Sequence, residues 1–149
     1  MLRNFNIRVY GILVNDKKQV LVSDERIQPG NLAVTKFPGG GLELGEGTRD
    51  CLRRECQEEM GIEVTVKEHL YTTDYFQQSA FNKAEQLISI YYLLEPAQPL
   101  NAAVNNGAPV YPDSAGEHFR FVDWAHFHED LLSLPVDKIA ARILRERYA

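Results

Sequence analysis

Cysteine, tryptophan and methionine are scarce in this chain of 149 residues, at two, one and two copies. No apolar run is long enough to cross a bilayer as a helix, and Arg8 interrupts the N-terminal stretch FNIRVYGILV. Neither a signal peptide nor a membrane span is therefore expected, and the chain reads as cytoplasmic. Cys51 and Cys56 lie five positions apart in a segment of helical composition, about 7.5 Å along a helix axis, beyond the usual reach of a disulfide. Without nearby histidines they also make a poor zinc site, so both are read as thiols in a reducing compartment. Basic residues are in deficit: 16 Lys and Arg stand against 21 Asp and Glu, for a net charge of −5. That balance disfavours sequence-independent grip on a nucleic-acid backbone but leaves room for a local basic pocket.

What is present is ordinary for a globular protein. Hydrophobic residues make up 44% and charged residues 25%, and the length suits one domain over residues 1–149 with a core of its own. No internal repeat or low-complexity tract interrupts it.

Chemistry concentrates in Pro38 to Ile62, PGGGLELGEGTRDCLRRECQEEMGI. Thr48 to Met60 has no proline or glycine and ends at Gly61, the residue type that accepts a left-handed conformation after a last helical turn. At about 100° per residue, Leu52, Cys56 and Met60 form an apolar stripe, and Glu55, Glu58 and Glu59 share the neighbouring arc. Like charges at these spacings cost a helix a few tenths of a kcal/mol each, so a cation is one compensation. Hard oxygen ligands on a rigid element suit a divalent ion such as Mg²⁺, which takes its remaining ligands from water and substrate phosphates. A solvated acidic face partnered by Arg49, Arg53 and Arg54 is the plainer alternative. Likewise, Gly39, Gly40, Gly41, Gly45 and Gly47 either turn the chain or let backbone approach a metal or phosphate.

Taken together, the segment has Gly40, five residues, Glu46, seven residues, then Arg54, Glu55, Cys56, one residue, Glu58, Glu59, one residue, Gly61 and Ile62. This spacing resembles the Nudix hydrolase box at every fixed position, with Cys56 as a small hydrophobe where a larger aliphatic is commoner. The resemblance implies an α/β fold, an α/β/α sandwich around a mixed central β-sheet. It implies water attack on a pyrophosphate bond in a nucleoside diphosphate linked to another group, with Mg²⁺ as cofactor and Mn²⁺ as a possible substitute. By the same resemblance Glu55, Glu58 and Glu59 and the backbone carbonyl of Gly39 are metal ligands, and Glu55 is the proton acceptor. Arg54 holds Glu55, and Glu46 is a structural partner. An extra acid is expected on the loop before the last strand, with Glu117 first, Asp113 second and Glu85 a third option. The implied partner is a small nucleotide, with nucleic acid disfavoured, no membrane, and a monomer or homodimer. Two alternative functions are a nucleotide-sugar sensor without turnover and a pyrophosphohydrolase of RNA 5′ ends.

Elsewhere, Asn6–Val14 and Gln19–Val22 read as a hairpin of strands, with Arg8 either reaching a ligand over the sheet or marking an exposed edge. Asp24–Val34 reads as a polar loop, and Gly41–Leu44 as a short strand. Ile62–Val66 and His69–Phe76 read as two strands, and the apolar QLISIYYLL of Gln86–Leu94 as the central one. Tyr75, Phe76 and Phe81 are core aromatics first and base-stacking groups second. Pro96–Gly116 is a long loop, a lid or a surface insertion. Phe119–Trp124 is a strand, Ala125–Leu132 a short helical turn, and Pro135 opens a final helix whose Val136, Ile139, Ala140, Ile143 and Leu144 face the sheet.

Overall fold

The apolar stretch QLISIYYLL forms the body of β6 (Glu85–Pro96), hydrogen-bonded on both sides as its composition requires of a central strand. In the computed structural model, which describes residues 1–148, the other elements are β1 (Asn4–Leu13), β2 (Gln19–Ile27), β3 (Leu32–Lys36), β4 (Gly39–Gly41), α1 (Thr48–Met60), β5 (Val64–Thr72), β7 (Gly116–Asp123) and α2 (Pro135–Tyr148). One sheet has the order β4-β1-β6-β5 and the other β3-β2-β7. The first is mixed, since β1 runs parallel to β6 while β4 and β5 are antiparallel to their neighbours.

Strand alternation divides the core in two. Val9 and Leu13 of β1, Leu21 of β2 and Leu94 of β6 pack with Leu52 and Cys56 of α1. Ile12, Val20, Val22 and Tyr91 project the other way and pack with Val136, Ala140, Ala141 and Leu144 of α2. The helices thus cover opposite faces of the strands, giving the α/β/α arrangement expected from the sequence. The buried stripe of α2 includes Ala141, while Ile139 and Ile143 are only partly covered.

Several boundaries differ from the sequence reading. β1 and β2 are not hairpin partners: they belong to different sheets, with a single ladder bridge, Val14–Val20, where the Asn15–Lys18 turn carries the chain from one sheet to the other. The supposed polar loop 24–34 is mostly strand, with only Gln28–Asn31 turning between β2 and β3. Its polarity misled because Asp24 and Thr35 are buried and paired: Thr35 Oγ1 donates to Asp24 at 2.7 Å, and Arg120 Nε donates to the same carboxylate at 2.7 Å. The short strand lies at Gly39–Gly41 rather than 41–44, and the two strands expected between 62 and 76 are one, β5, with register shifts between Val66 and Tyr71. Residues 125–132 hold two 3-10 turns, Trp124–His126 and Glu129–Leu131, instead of one helical turn.

The long 97–115 connection is tied down. Val110 N donates to Asp24 at 3.2 Å, Asn105 O accepts from Arg120 at 2.8 Å, and Val104 bridges Phe121.

Candidate active site

The site begins with the N-terminus of α1. Asp50 accepts from the Gly47 N–H at 3.3 Å, and Gly61 ends the helix in the left-handed conformation with φ of 65°. One turn in, Arg54 acts as a hub: its guanidinium reaches Glu46 at 2.7 Å, Glu55 at 2.9 Å, Glu58 at 3.2 Å and the Gly41 carbonyl at 3.1 Å. One fork thereby ties the helix to the preceding loop and offsets three carboxylates, a geometry an ammonium could not reproduce. The hydrogen bond from Arg54 holds the Glu46 carboxyl down at about 2. Burial pushes the Cys51 and Cys56 thiols up to about 12, so both remain protonated packing groups.

Glu55 lies against backbone. A Cβ at Gly40 would stand 2.3 Å from the Glu55 carboxyl carbon, so glycine there is what lets the carboxylate reach its position. Gly39, Gly40, Glu55 and Glu59 line one cleft of about 400 Å³. Glu59 is mostly buried in it; desolvation first, then the adjoining Glu55 and the charge of Glu117, push its carboxyl up to about 8. Its Oε2 is buried and receives no hydrogen bond from a fixed donor, while the carboxyl as a whole shares a hydrogen bond with that of Glu55.

Two cations face these acids. Arg8 lines the cleft and donates to the Tyr10 hydroxyl at 3.2 Å. Lys36, also lining it, donates to Glu25 at 3.2 Å and to the Phe37 carbonyl at 3.0 Å. Burial acts to lower the Lys36 pKa, but Glu25, Tyr10, Asp137 and Glu59 together raise it, so the ammonium stays charged.

Of the residues singled out from sequence, Gly39, Glu55 and Glu59 share the cleft, and Arg54 braces Glu55 from behind. Glu58 is exposed at the edge, bound by Arg54. Glu117 belongs to β7, paired in register with Glu25, rather than to the preceding loop, and its charge acts on Glu59. Asp113 is exposed on the long connection. Glu85 lines the cleft, bonded to Asn6. Lys36 and Glu25 were not singled out. Glu25 falls in the stretch expected as a polar loop and Lys36 in the approach to Pro38; alternation through β2 and β3 is the signal that puts the two on one face.

Among the described residues, no group of three His, Cys, Asp or Glu side chains is spaced to enclose an ion. Two carboxylates beside a backbone turn instead fit an ion that takes its other ligands from water and phosphate oxygens, as Mg²⁺ does. The Glu59 Oε2, bonded by no fixed donor, has the chemistry such an ion satisfies.

Comparison with known proteins identifies the family and the fold. A family model described as NUDIX domain matches residues 4–146. The chain is 33% identical over 64 residues to a CTP pyrophosphohydrolase of Escherichia coli K12; the match covers 43% of this chain and 47% of that protein, about half its length. In structure it resembles the E. coli ORF135 protein, with a TM-score of 0.70 and 19% identity over 99% of this chain and 94% of the other. It also resembles a MutT protein of Methanosarcina mazei Go1, with a TM-score of 0.67 and 17% identity over 100% and 99%.

Proposed function

We propose, on the premise that the chain belongs to the NUDIX domain family, that one domain over residues 1–149 hydrolyses the pyrophosphate linkage of a nucleoside triphosphate or related nucleoside diphosphate derivative, with Mg²⁺ as cofactor. The observation carrying this reading is the Glu55 carboxylate seated on Gly40 beside the buried Oε2 of Glu59, in a cleft that also presents Arg8 and Lys36. The nucleoside triphosphate class is supported by the relative described as a CTP pyrophosphohydrolase.

Glu55, Glu59 and the Gly39 carbonyl, which line the cleft, would hold the ion, and the family resemblance adds Glu58, held by Arg54 at the cleft edge, and Glu117 on β7. A bound divalent ion neutralises phosphate charge and lowers the pKa of bound water. Glu55 accepts the water's proton, and Arg54 fixes that carboxylate in one orientation. Arg8 and Lys36 draw the phosphate oxygens to the cleft wall. The water oxygen bonds to phosphorus and the bridging P–O bond breaks, giving a nucleoside monophosphate and, from a triphosphate, pyrophosphate, or, from a nucleoside diphosphate linked to another group, the phosphate of that group.

The test is a panel of nucleoside triphosphates, nucleotide-sugars and dinucleoside polyphosphates assayed with Mg²⁺, with and without EDTA. Turnover that EDTA abolishes, and that Glu55→Gln lowers by about 10²–10⁴-fold, is expected. Binding without hydrolysis across the panel would replace the enzyme with a binding module, and full turnover in Glu55→Gln would remove that residue from its role.

A further inference from the structure

The far end of the same cleft holds a second polar pair that the hydrolytic chemistry leaves unused. Asn6 Nδ2 donates to Glu85 Oε1 at 3.1 Å, both residues line the cleft, and both are half-buried. An ionised carboxylate only accepts hydrogen bonds, so this contact fixes the amide's orientation. The atoms left over, Asn6 Oδ1 and Glu85 Oε2, are both acceptors and bond no other described residue.

Register places this pair away from the reacting end. Gly40 pairs with Val9 of β1, whereas Glu85 pairs with Asn4, and Asn6 and Arg8 follow the cleft face between them. Three to five strand positions at about 3.3 Å each span roughly 10–17 Å, on the order of a nucleoside from its phosphate to the outer edge of its base. Ile27 and Leu87, the latter in register with Asn6, add apolar wall to the cleft, and Phe81, 38% exposed, lines it from the loop before β6. That loop is braced: Ser79 Oγ accepts from Phe81 N and Asn82 N at 3.1 Å each, and Ser79 N donates to the Glu85 carbonyl at 3.0 Å. An exposed ring held in place beside a slot is a stacking surface rather than core.

From this juxtaposition we propose that Asn6 and Glu85 are specificity-determining residues that read the exocyclic amino group of a nucleobase stacked on Phe81. The inference rests on the hydrolase reading above and extends it to the base. Two acceptors match an amino group's two N–H donors. A carbonyl at the same ring position would face them with lone pairs and leave all three oxygens unpaired, the kind of mismatch that sites built around a hydrogen bond reject strongly. Cytosine is therefore favoured over uracil, and adenine over hypoxanthine.

The experiment compares kcat/KM for CTP against UTP and ATP against ITP, alongside calorimetric binding of the α,β-methylene analogues of CTP and UTP. Wild-type protein is expected to prefer the amino base by about tenfold or more in at least one pair. Glu85→Gln retains the bond from Asn6 and turns a donor toward the base, so the preference collapses or inverts, mainly through KM. Asn6→Ala, which releases Glu85, weakens it with kcat largely kept. Equal kcat/KM within both pairs, or a preference untouched in both variants, overturns the inference while leaving the hydrolase reading in place. Selective binding of the CTP analogue by a protein that hydrolyses nothing would sustain it and sink that reading instead.

Discussion

At the scale of single residues, the two neighbouring glycines of β4 separate activity from stability. Gly39 has φ of 152°, and a Cβ there would stand 2.1 Å from the Val9 carbonyl oxygen and 2.7 Å from Tyr10 Cα. Backbone on both sides leaves no cheap escape, so Gly39→Ala is expected to cost about 1–3 kcal/mol of stability, measurable by denaturant unfolding. At Gly40 the obstructing atoms are the end of the Glu55 side chain. A flexible carboxylate can swing aside, so Gly40→Ala is expected to melt near the wild-type temperature yet lose on the order of 10²-fold in kcat, the scale of a misplaced reacting group. A Gly40→Ala variant with unchanged turnover would mean that Glu55 need not occupy this position. The helix period grouped Glu55 with Glu59 before any coordinates, whereas the roles expected of Gly39 and Gly40 came with the resemblance to the Nudix box. The Gly40–Glu55 contact was not legible, since it depends on two elements meeting.

The elements themselves were least legible where polar residues are buried. Ser23, Asp24, Thr35 and Lys36 interrupt the hydrophobic alternation of β2 and β3, and every one of them is at most 5% exposed. Asp24 joins β2, β3, β7 and the 97–115 connection through Thr35, Arg120 and the Val110 N–H. Arg120 is fully buried, and its fork spans Asp24 and the Asn105 carbonyl. Removing one partner leaves the other charge uncompensated, so Arg120→Met is expected to destabilise by about 3–5 kcal/mol. It should also free the connection, speeding limited proteolysis between residues 103 and 112 ahead of cleavage elsewhere. Protection equal to wild type would show that the loop is held by Val104 and its bridge to Phe121 rather than by the buried pair. β1, and β6 with Ser89 alone of its described residues both polar and buried, are legible from composition, and both helices from period and caps.

At the scale of the molecule, the partition of strands into two sheets escaped the sequence because the Asn15–Lys18 turn has the composition of a hairpin, whereas β2 takes β3 and the distant β7 as its hydrogen-bonded neighbours instead of β1. The layers are then joined through Asp137, buried in the first turn of α2. Its carboxylate accepts from the Tyr91 hydroxyl of β6 and, at 3.3 Å, from the Phe37 N–H just after β3. Burial pushes this carboxyl up to about 6 from 3.8, against the lowering effect of Tyr91, Lys36 and Phe37. A folded-state pKa above the unfolded value means the native protein holds a proton that the unfolded chain has released. Its contribution to stability is therefore fully present below the unfolded value of 3.8 and is lost as pH rises through about 6, at no more than about 1.4 kcal/mol per pH unit for one proton. Other carboxylates work in the opposite sense, Glu46 among them, so the total curve mixes signs. The difference between wild type and Asp137→Asn isolates the group. Denaturant unfolding at pH 4, 5, 6 and 7 should show the wild type losing stability relative to Asp137→Asn across pH 4 to 6, with the two curves running parallel above pH 7. Parallel curves throughout would place the ionisation of Asp137 below that window and make its bonds to Tyr91 and Phe37 stronger than the desolvation they oppose.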